Sequence, residues 1–263
     1  MRILLLADLH FQENWYHWLA RQNPDITVIS GDLLDGFIPE GLLPQMLAVS
    51  AWCERFPGPL VVSSGNHDAN STDGIFDPDG LALISAGERE RVMRMLTAMH
   101  WMDCLERPGL VTDGRTAVLE TLRGAVVVTT IPFDFGSGGD TDGLWREGAL
   151  KRKSLRVPWL VLHHEPPADT MVGGQMGEPS LFYKIQEYRP NFVVSGHMHD
   201  QPYRGSFADN IEGTWCFNPG YPSATPVKRA KIPNHIVLDL SDSTATWYAT
   251  GSKGPIHKTI SLK

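Results

Sequence analysis

Aspartates, histidines and one asparagine recur in this chain directly after short apolar runs, a mixture of side chains suited to holding metal ions. Asp8 and His10 follow Leu4-Leu5-Leu6-Ala7, Gly31-Asp32 follows Val28-Ile29-Ser30, and Gly65-Asn66-His67-Asp68 follows Val61-Val62-Ser63-Ser64. Farther along, His163-His164 follows Leu160-Val161-Leu162, and Gly196-His197-Met198-His199 follows Val193-Val194-Ser195. Imidazole, carboxylate and one amide, with no thiolate, suit manganese, iron, zinc or a mixed pair better than calcium or a structural zinc. One Asp-x-His or one histidine after an apolar run carries little weight alone. Five such places in order point to one site, and a pair of ions is the natural count for so many donors. Residues two apart in an extended segment project to the same side. Asp8 with His10, and His197 with His199, are therefore each expected to converge on one ion. Gly31, Gly65 and Gly196 fit tight turns where the backbone must swing a ligand inward.

The elements that must position these side chains follow from the apolar patterning. Arg2-Ala7, Ile26-Ser30, Leu60-Ser63, Ala125-Thr130, Trp159-His163 and Phe192-Ser195 are continuous apolar runs, expected as strands buried on both faces. Between several of them, Glu13-Arg21, Leu42-Arg55, Glu88-Met99 and Ser180-Glu187 carry apolar residues at helical spacing. Alternating strands and helices imply a layered α/β fold, in which ligands bind outside the carboxyl ends of the strands. Thr214-Asn218, His235-Asp239, Thr244-Thr250 and Ile256-Leu262 are expected as strands joined by turns, giving a mixed or antiparallel end to the sheets. Asp68-Gly80 and Phe135-Gly143, rich in glycine and aspartate, are expected as long loops.

Composition narrows the partners. Thirty acidic residues against 23 basic ones leave a formal charge of -7, which argues against nucleic acid held through its phosphates. Ile3 to Ala7 is far too short to cross a membrane, and Asp8 interrupts it before it could serve as a signal-peptide core. It is expected as a buried strand of a cytoplasmic protein with no membrane partner. Cys53, Cys104 and Cys216 are widely spaced without a CxxC pair, so they are expected as free thiols rather than a disulfide or thiolate zinc site. At 263 residues, with no linker and no internal repeat, one domain spanning 1–263 is the default.

Asp8-Leu9-His10, Gly31-Asp32, Gly65-Asn66-His67-Asp68, a His-x-Pro after a strand, and Gly196-His197-Met198-His199 together resemble the calcineurin-like metallophosphoesterase superfamily. The resemblance runs from residue 8 to residue 199. It implies a four-layer αββα sandwich, two mixed β-sheets flanked by helices, with a dinuclear metal site at the strand C-terminal ends. It further implies that Asp8, His10, Asp32 and His199 hold one ion, and that Asp32, Asn66, a histidine of the His163-His164 pair and His197 hold the other. Asp32 would bridge them. The family places its ligand two residues before a proline, a register that His164 fits in His163-His164-Glu165-Pro166, with His163 the alternative.

The chemistry implied is hydrolysis of a phosphoester by attack of a metal-bridging hydroxide, with manganese the first choice of metal and iron or zinc the others. His67 is expected to protonate the leaving oxygen or to stabilise the charge growing on it, with Asp68 orienting its ring. The sequence departs from the Ser/Thr-phosphatase motifs GDxVDRG and GNHE, having Gly31-Asp32-Leu33-Leu34-Asp35-Gly36 and GNHD. A small phosphodiester is therefore the expected substrate, with a phosphomonoester behind it. A nuclease of the superfamily and a catalytically silent metal-binding scaffold are the alternatives.

Overall fold

The computed structural model describes residues 1–36, 42–69, 85–97, 100–133, 141–222, 230–251 and 254–263. Its first strands are β1 (Arg2–Leu6), β2 (Ile26–Ser30), β3 (Leu60–Ser63), β4 (Leu110–Val111), β5 (Thr116–Thr121), β6 (Gly124–Thr130) and β7 (Trp159–Leu162). They are followed by β8 (Phe192–Val194), β9 (Ala208–Ile211), β10 (Thr214–Phe217), β11 (His235–Asp239), β12 (Thr244–Gly251) and β13 (Gly254–Ser261). The helices are α1 (Glu13–Leu19), α2 (Leu42–Arg55), α3 (Asn66–Ala69), α4 (Ala86–Thr97), α5 (Thr141–Leu155), α6 (Pro179–Tyr188) and α7 (Gln201–Arg204).

The strands form two mixed sheets. One has seven strands in the order β13-β12-β11-β1-β2-β3-β4, and the other six in the order β5-β6-β7-β8-β10-β9. β1 to β4 run parallel, and the antiparallel meander β11–β13 continues their sheet from β1. In the second sheet β6, β7, β8 and β10 are parallel, with β5 and β9 antiparallel at the edges.

Period-2 alternation within continuous apolar runs explains the layering. In β1, Leu4 and Leu6 pack outward with Trp15 and Leu19 of α1 and with Met46 and Val49 of α2. Ile3 and Leu5 turn inward, against Val126, Val128, Leu160, Leu162 and Val194 of the other sheet. On that sheet's far side Val127, Val161 and Val193 meet Trp145 of α5 and Leu181 and Ile185 of α6. Three apolar layers thus separate helices, sheet, sheet and helices, with about 1.5–3 kcal/mol from each fully buried Leu, Ile or Val.

Two expectations need correction. Phe135-Gly143 is not wholly a loop: Thr141 to Gly143 begin the 15-residue α5, and residues 135–140 lie outside the described residues. That helix buries only Trp145 and Gly148, a stripe too narrow to show as helical periodicity. Asp68-Gly80 likewise starts helically, since Asp68 closes into the single turn α3, and residues 70–80 lie outside the described residues. Among the described residues no helix is long and apolar enough to cross a membrane.

Candidate metal centre

The segments that follow β1, β2, β3, β7 and β8 meet where the C-terminal ends of the two sheets adjoin. Backbone bonds tie them in pairs: Asp8 N donates to Gly31 O (3.1 Å), His10 N to Asp32 O (2.9 Å), and Gly196 N to His164 O (2.7 Å). Ser30 Oγ spans the two sheets to Val194 O at 3.0 Å.

One donor set gathers Asp8, His10, Asp32 and His199, whose ligand atoms all lie within 4.8 Å of one another. His10 Nε2 faces His199 Nε2 at 3.1 Å, and His199 Nε2 is 3.4 Å from Asp8 Oδ1. The second set is joined through Asn66, whose Oδ1 is 3.2 Å from His164 Nε2 and 2.9 Å from His197 Nδ1. Asp32 belongs to both, its Oδ2 lying 3.3 Å from His164 Nε2 and 3.7 Å from His10 Nε2. His197 and His199 do not turn to one donor set as their spacing suggested. His197 has left-handed backbone (φ 61°), so the segment is not extended and its two imidazoles part, one to each set.

Left-handed backbone is concentrated here. Asp8 (φ 55°), His10 (41°), Phe11 (50°) and Asp32 (51°) share it with His197, each at about 1–2 kcal/mol for a residue with a Cβ. Glycines are required beside them because side chains close on the backbone. A Cβ on Gly65 would sit 2.2 Å from Asp32 Oδ1, and one on Gly31, itself at φ 80°, 2.2 Å from His164 Nδ1.

The electrostatics fit cations. Asp8 and Asp32 are buried, which alone would push both carboxyls up. His199 and His164 outweigh that for Asp8, as His164 and His10 do for Asp32, and hold both below the ordinary range. His164 donates Nδ1–H to Ser30 O at 2.8 Å, which leaves Nε2 as the site for a proton or an ion. Burial pushes that imidazole down, but the Asp32 and Asp8 carboxylates hold it up to about 9, so an ion there would replace a tightly held proton. Among the described residues Asp8 Oδ2 is buried with no hydrogen-bond partner, and two imidazole nitrogens face each other across the first set. Orphaned oxygen, closely facing imidazole nitrogens and shared carboxylate are what two cations would satisfy.

His163 turns away from this cluster, its Nδ1 donating to Glu165 O at 2.7 Å, and burial pushes its imidazole down to about 4. His67 is half-buried at the rim of the first set, its ring 4.7 Å from that of His10. Its backbone N donates to Asp32 Oδ1 at 2.9 Å, and its Nδ1 accepts from Gly36 N at 3.0 Å. The neutral ring therefore carries its proton on Nε2. The Asp68 carboxylate is fully buried and accepts from Leu33 N (3.2 Å), Leu34 N (3.0 Å) and Gly65 N (2.9 Å). Burial and the charge of Asp32 push it up to about 7 against those three bonds.

Sequence reasoning missed Asp35, which forms a group with His10 and His67 whose ligand atoms lie within 4.8 Å of one another. Its place three residues after Asp32, in the turn after β2, was the available signal. Tyr221 and Phe133 were also missed as neighbours of the site. Tyr221 stacks on His199 at 4.8 Å, and Phe133 lies 5.7 Å from His164 and 6.1 Å from His197.

Two mixed sheets between helices, with carboxylates, imidazoles and an amide gathered at the strand ends, define an α/β protein with a candidate metal-binding site. The family model for calcineurin-like phosphoesterases matches residues 1–201, three-quarters of the chain, and the chain belongs to that family. Solved structures share the fold at low identity. TT1561 of Thermus thermophilus is 13% identical, covering 100% of this chain and 99% of its own, with a TM-score of 0.53. GAP50, the anchor in the inner membrane complex of Plasmodium, is 10% identical over 100% and 85%, with a TM-score of 0.52. Haemophilus influenzae NAD nucleotidase is 10% identical over 98% of this chain and 49% of its own, with a TM-score of 0.53. No curated protein matches the chain in sequence.

Proposed function

We propose that the chain hydrolyses a small phosphodiester at a two-ion site. Asp8, His10, Asp32 and His199 hold one ion, Asp32, Asn66, His164 and His197 hold the other, and manganese, iron or zinc fills them. The observation that carries this reading is the sharing of Asp32, whose one carboxylate oxygen lies 3.7 Å from His10 Nε2 and 3.3 Å from His164 Nε2. Bound there, two divalent ions would supply an activated water and neutralise charge on the phosphoryl oxygens.

The chain's own residues do the rest. His67 carries the Nε2–H that Gly36 fixes by its bond to Nδ1 at 3.0 Å, and hydrogen-bonds it to the leaving oxygen to stabilise the charge growing there. Asp35, in the same group as His67 and His10, brings a further carboxylate beside them. Asp68 acts as a positioning residue, gripping the backbone after Asp32 through Leu33 and Leu34. The substrate is small, and nucleic acid is disfavoured by the -7 charge.

The test is hydrolysis of bis(p-nitrophenyl) phosphate beside p-nitrophenyl phosphate after metal stripping and reloading with Mn, Fe, Zn or Mg. Metal-dependent turnover favouring the diester, with His67→Asn down about 100-fold and its metal content unchanged, is the expected result. Faster turnover of the monoester would replace the diester reading. A His67→Asn variant at full activity would remove His67 from the mechanism.

A further inference from the structure

We propose that Tyr221 is a positioning residue whose ring holds the imidazole of His199 in place, and that it thereby sets the affinity of the first donor set, and of that set alone, for its ion. This rests on the two-ion reading above.

A ligand histidine is ordinarily oriented by a hydrogen bond from its second ring nitrogen. His164 has one, to Ser30 O at 2.8 Å. His199 does not: its Nε2 faces Asp8 and His10, and among the described residues its Nδ1 makes no hydrogen bond. Its side chain is also 38% exposed, against 0% for His164. Something else must fix the ring, and the Tyr221 ring lies over it with centroids 4.8 Å apart and planes 27° from parallel. Tyr221 meets His10 edge-on at 5.2 Å, so it touches both imidazoles of the first set.

The brace is itself anchored. On its other side Tyr221 packs at 5.5 Å on Trp15, which is fully buried and donates Nε1–H to Ala230 O at 3.0 Å. Tyr221 N donates to His199 O at 3.2 Å. The turn before it is fastened to the segment that carries the two histidines. Asn218, fully buried, donates Nδ2–H to Gly196 O (3.3 Å) and Met198 O (3.2 Å) and accepts from Gly220 N (2.8 Å). Among the described residues the Tyr221 hydroxyl makes no hydrogen bond, so the ring is the working part. The second set lies beyond its reach, because the rings of His164 and His197 neighbour Phe133 instead.

The experiment is Mn(II) titration of the metal-stripped full chain by calorimetry, with wild type, Tyr221→Phe, Tyr221→Leu and Tyr221→Met. His199→Ala serves to mark which of the two affinities belongs to the first set. Loss of a partner that orients a ligand weakens metal binding about 10- to 100-fold, so the Leu and Met variants should lose about tenfold at the affinity that His199→Ala abolishes. The other affinity should be unchanged, and Tyr221→Phe should match wild type. Equal weakening of both ions, unchanged binding by Leu and Met, or a Phe variant as weak as Leu would each overturn the proposal. So would Leu and Met variants that both fail to fold, since the ring would then be a packing element. Wild type taking up fewer than two ions would overturn the two-ion reading itself, an outcome visible without any variant.

Discussion

Gly65→Ala adds a single methyl group to the turn after β3, and the geometry says where it lands. The new Cβ would lie 2.2 Å from Asp32 Oδ1, 2.5 Å from Asp32 N and 2.9 Å from Asp32 Cγ. Ordinary contact is at about 3.5 Å, so either the shared carboxylate or the backbone beneath it must retreat by about 1 Å. Rotating the side chain does not solve this, because Asp32 N is backbone and Asp32 Oδ1 also accepts from His67 N at 2.9 Å. Overpacking of this kind costs about 1–3 kcal/mol. At roughly 2–4 °C per kcal/mol for a chain of this size, the Tm should fall by several degrees. A misplacement of about 1 Å in a catalytic centre can cost about 100-fold in rate. Turnover of bis(p-nitrophenyl) phosphate should therefore fall about 100-fold, with weaker uptake of both ions if Asp32 serves both as proposed. Gly58→Ala is the control, because a Cβ there meets nothing within 4 Å. If Gly65→Ala kept wild-type kcat/KM and wild-type metal titration, Asp32 would not be the shared ligand and the two-ion reading would fall.

Three further predictions follow from particular side chains. His164→Ala should leave one ion per chain by elemental analysis, whereas His163→Gln should keep two, because His163 is turned toward Glu165 O. Burial pushes the His235 imidazole down, so the unfolded chain binds more protons than the folded one below about pH 6.5, and stability should fall with pH in that window. In urea melts the stability of wild type relative to His235→Asn should decline between about pH 7 and pH 5, and a constant difference would refute the assignment. Of the three free cysteines only Cys104 should react with a thiol reagent in the native protein, since Cys53 and Cys216 are buried and burial pushes the Cys53 thiol up to about 12. Mass spectrometry of the labelled chain gives the count.

The layers of the fold were legible because their signal is a run of residues. Leu4-Leu5-Leu6 and Leu160-Val161-Leu162 are apolar on both sides, and strands buried between a helix layer and a second sheet must be. α5 was not legible. Its contact with the core rests on Trp145, with Leu144 and Ala149 partly buried beside it, and on the absence of a side chain at Gly148, where a Cβ would lie 2.5 Å from the Trp159 ring. A helix that approaches through a glycine leaves only a short apolar stripe to read. β5 was missed for a related reason: as an edge strand it buries only Leu119, and its apolar run is the short Ala117-Val118-Leu119.

At the site, residue types were legible and backbone conformation was not. Asp, His and Asn after strands announce donors, but the rule that residues two apart share a side holds only for extended chain. Asp8, His10, Asp32 and His197 are left-handed, a conformation that sequence marks clearly only at glycine. The bonds that enforce it come from partners far away in the chain: Asp8 N to Gly31 O, His10 N to Asp32 O, and His197 N to Asp8 Oδ1 at 3.0 Å. Each ligand's conformation is thus fixed by the segment that carries another ligand. The same closure explains why Asp35 and Tyr221 escaped notice. Asp35 follows only the pair Leu33-Leu34 and Tyr221 follows no apolar run, and each reaches the site because the segment carrying it is tied to that of a candidate ligand, Asp35 by following Asp32 and Tyr221 through its bond to His199 O. Strain of this kind persists only where the surroundings over-determine it. A substitution that loosens one segment should therefore disturb donors on its neighbours as well as its own.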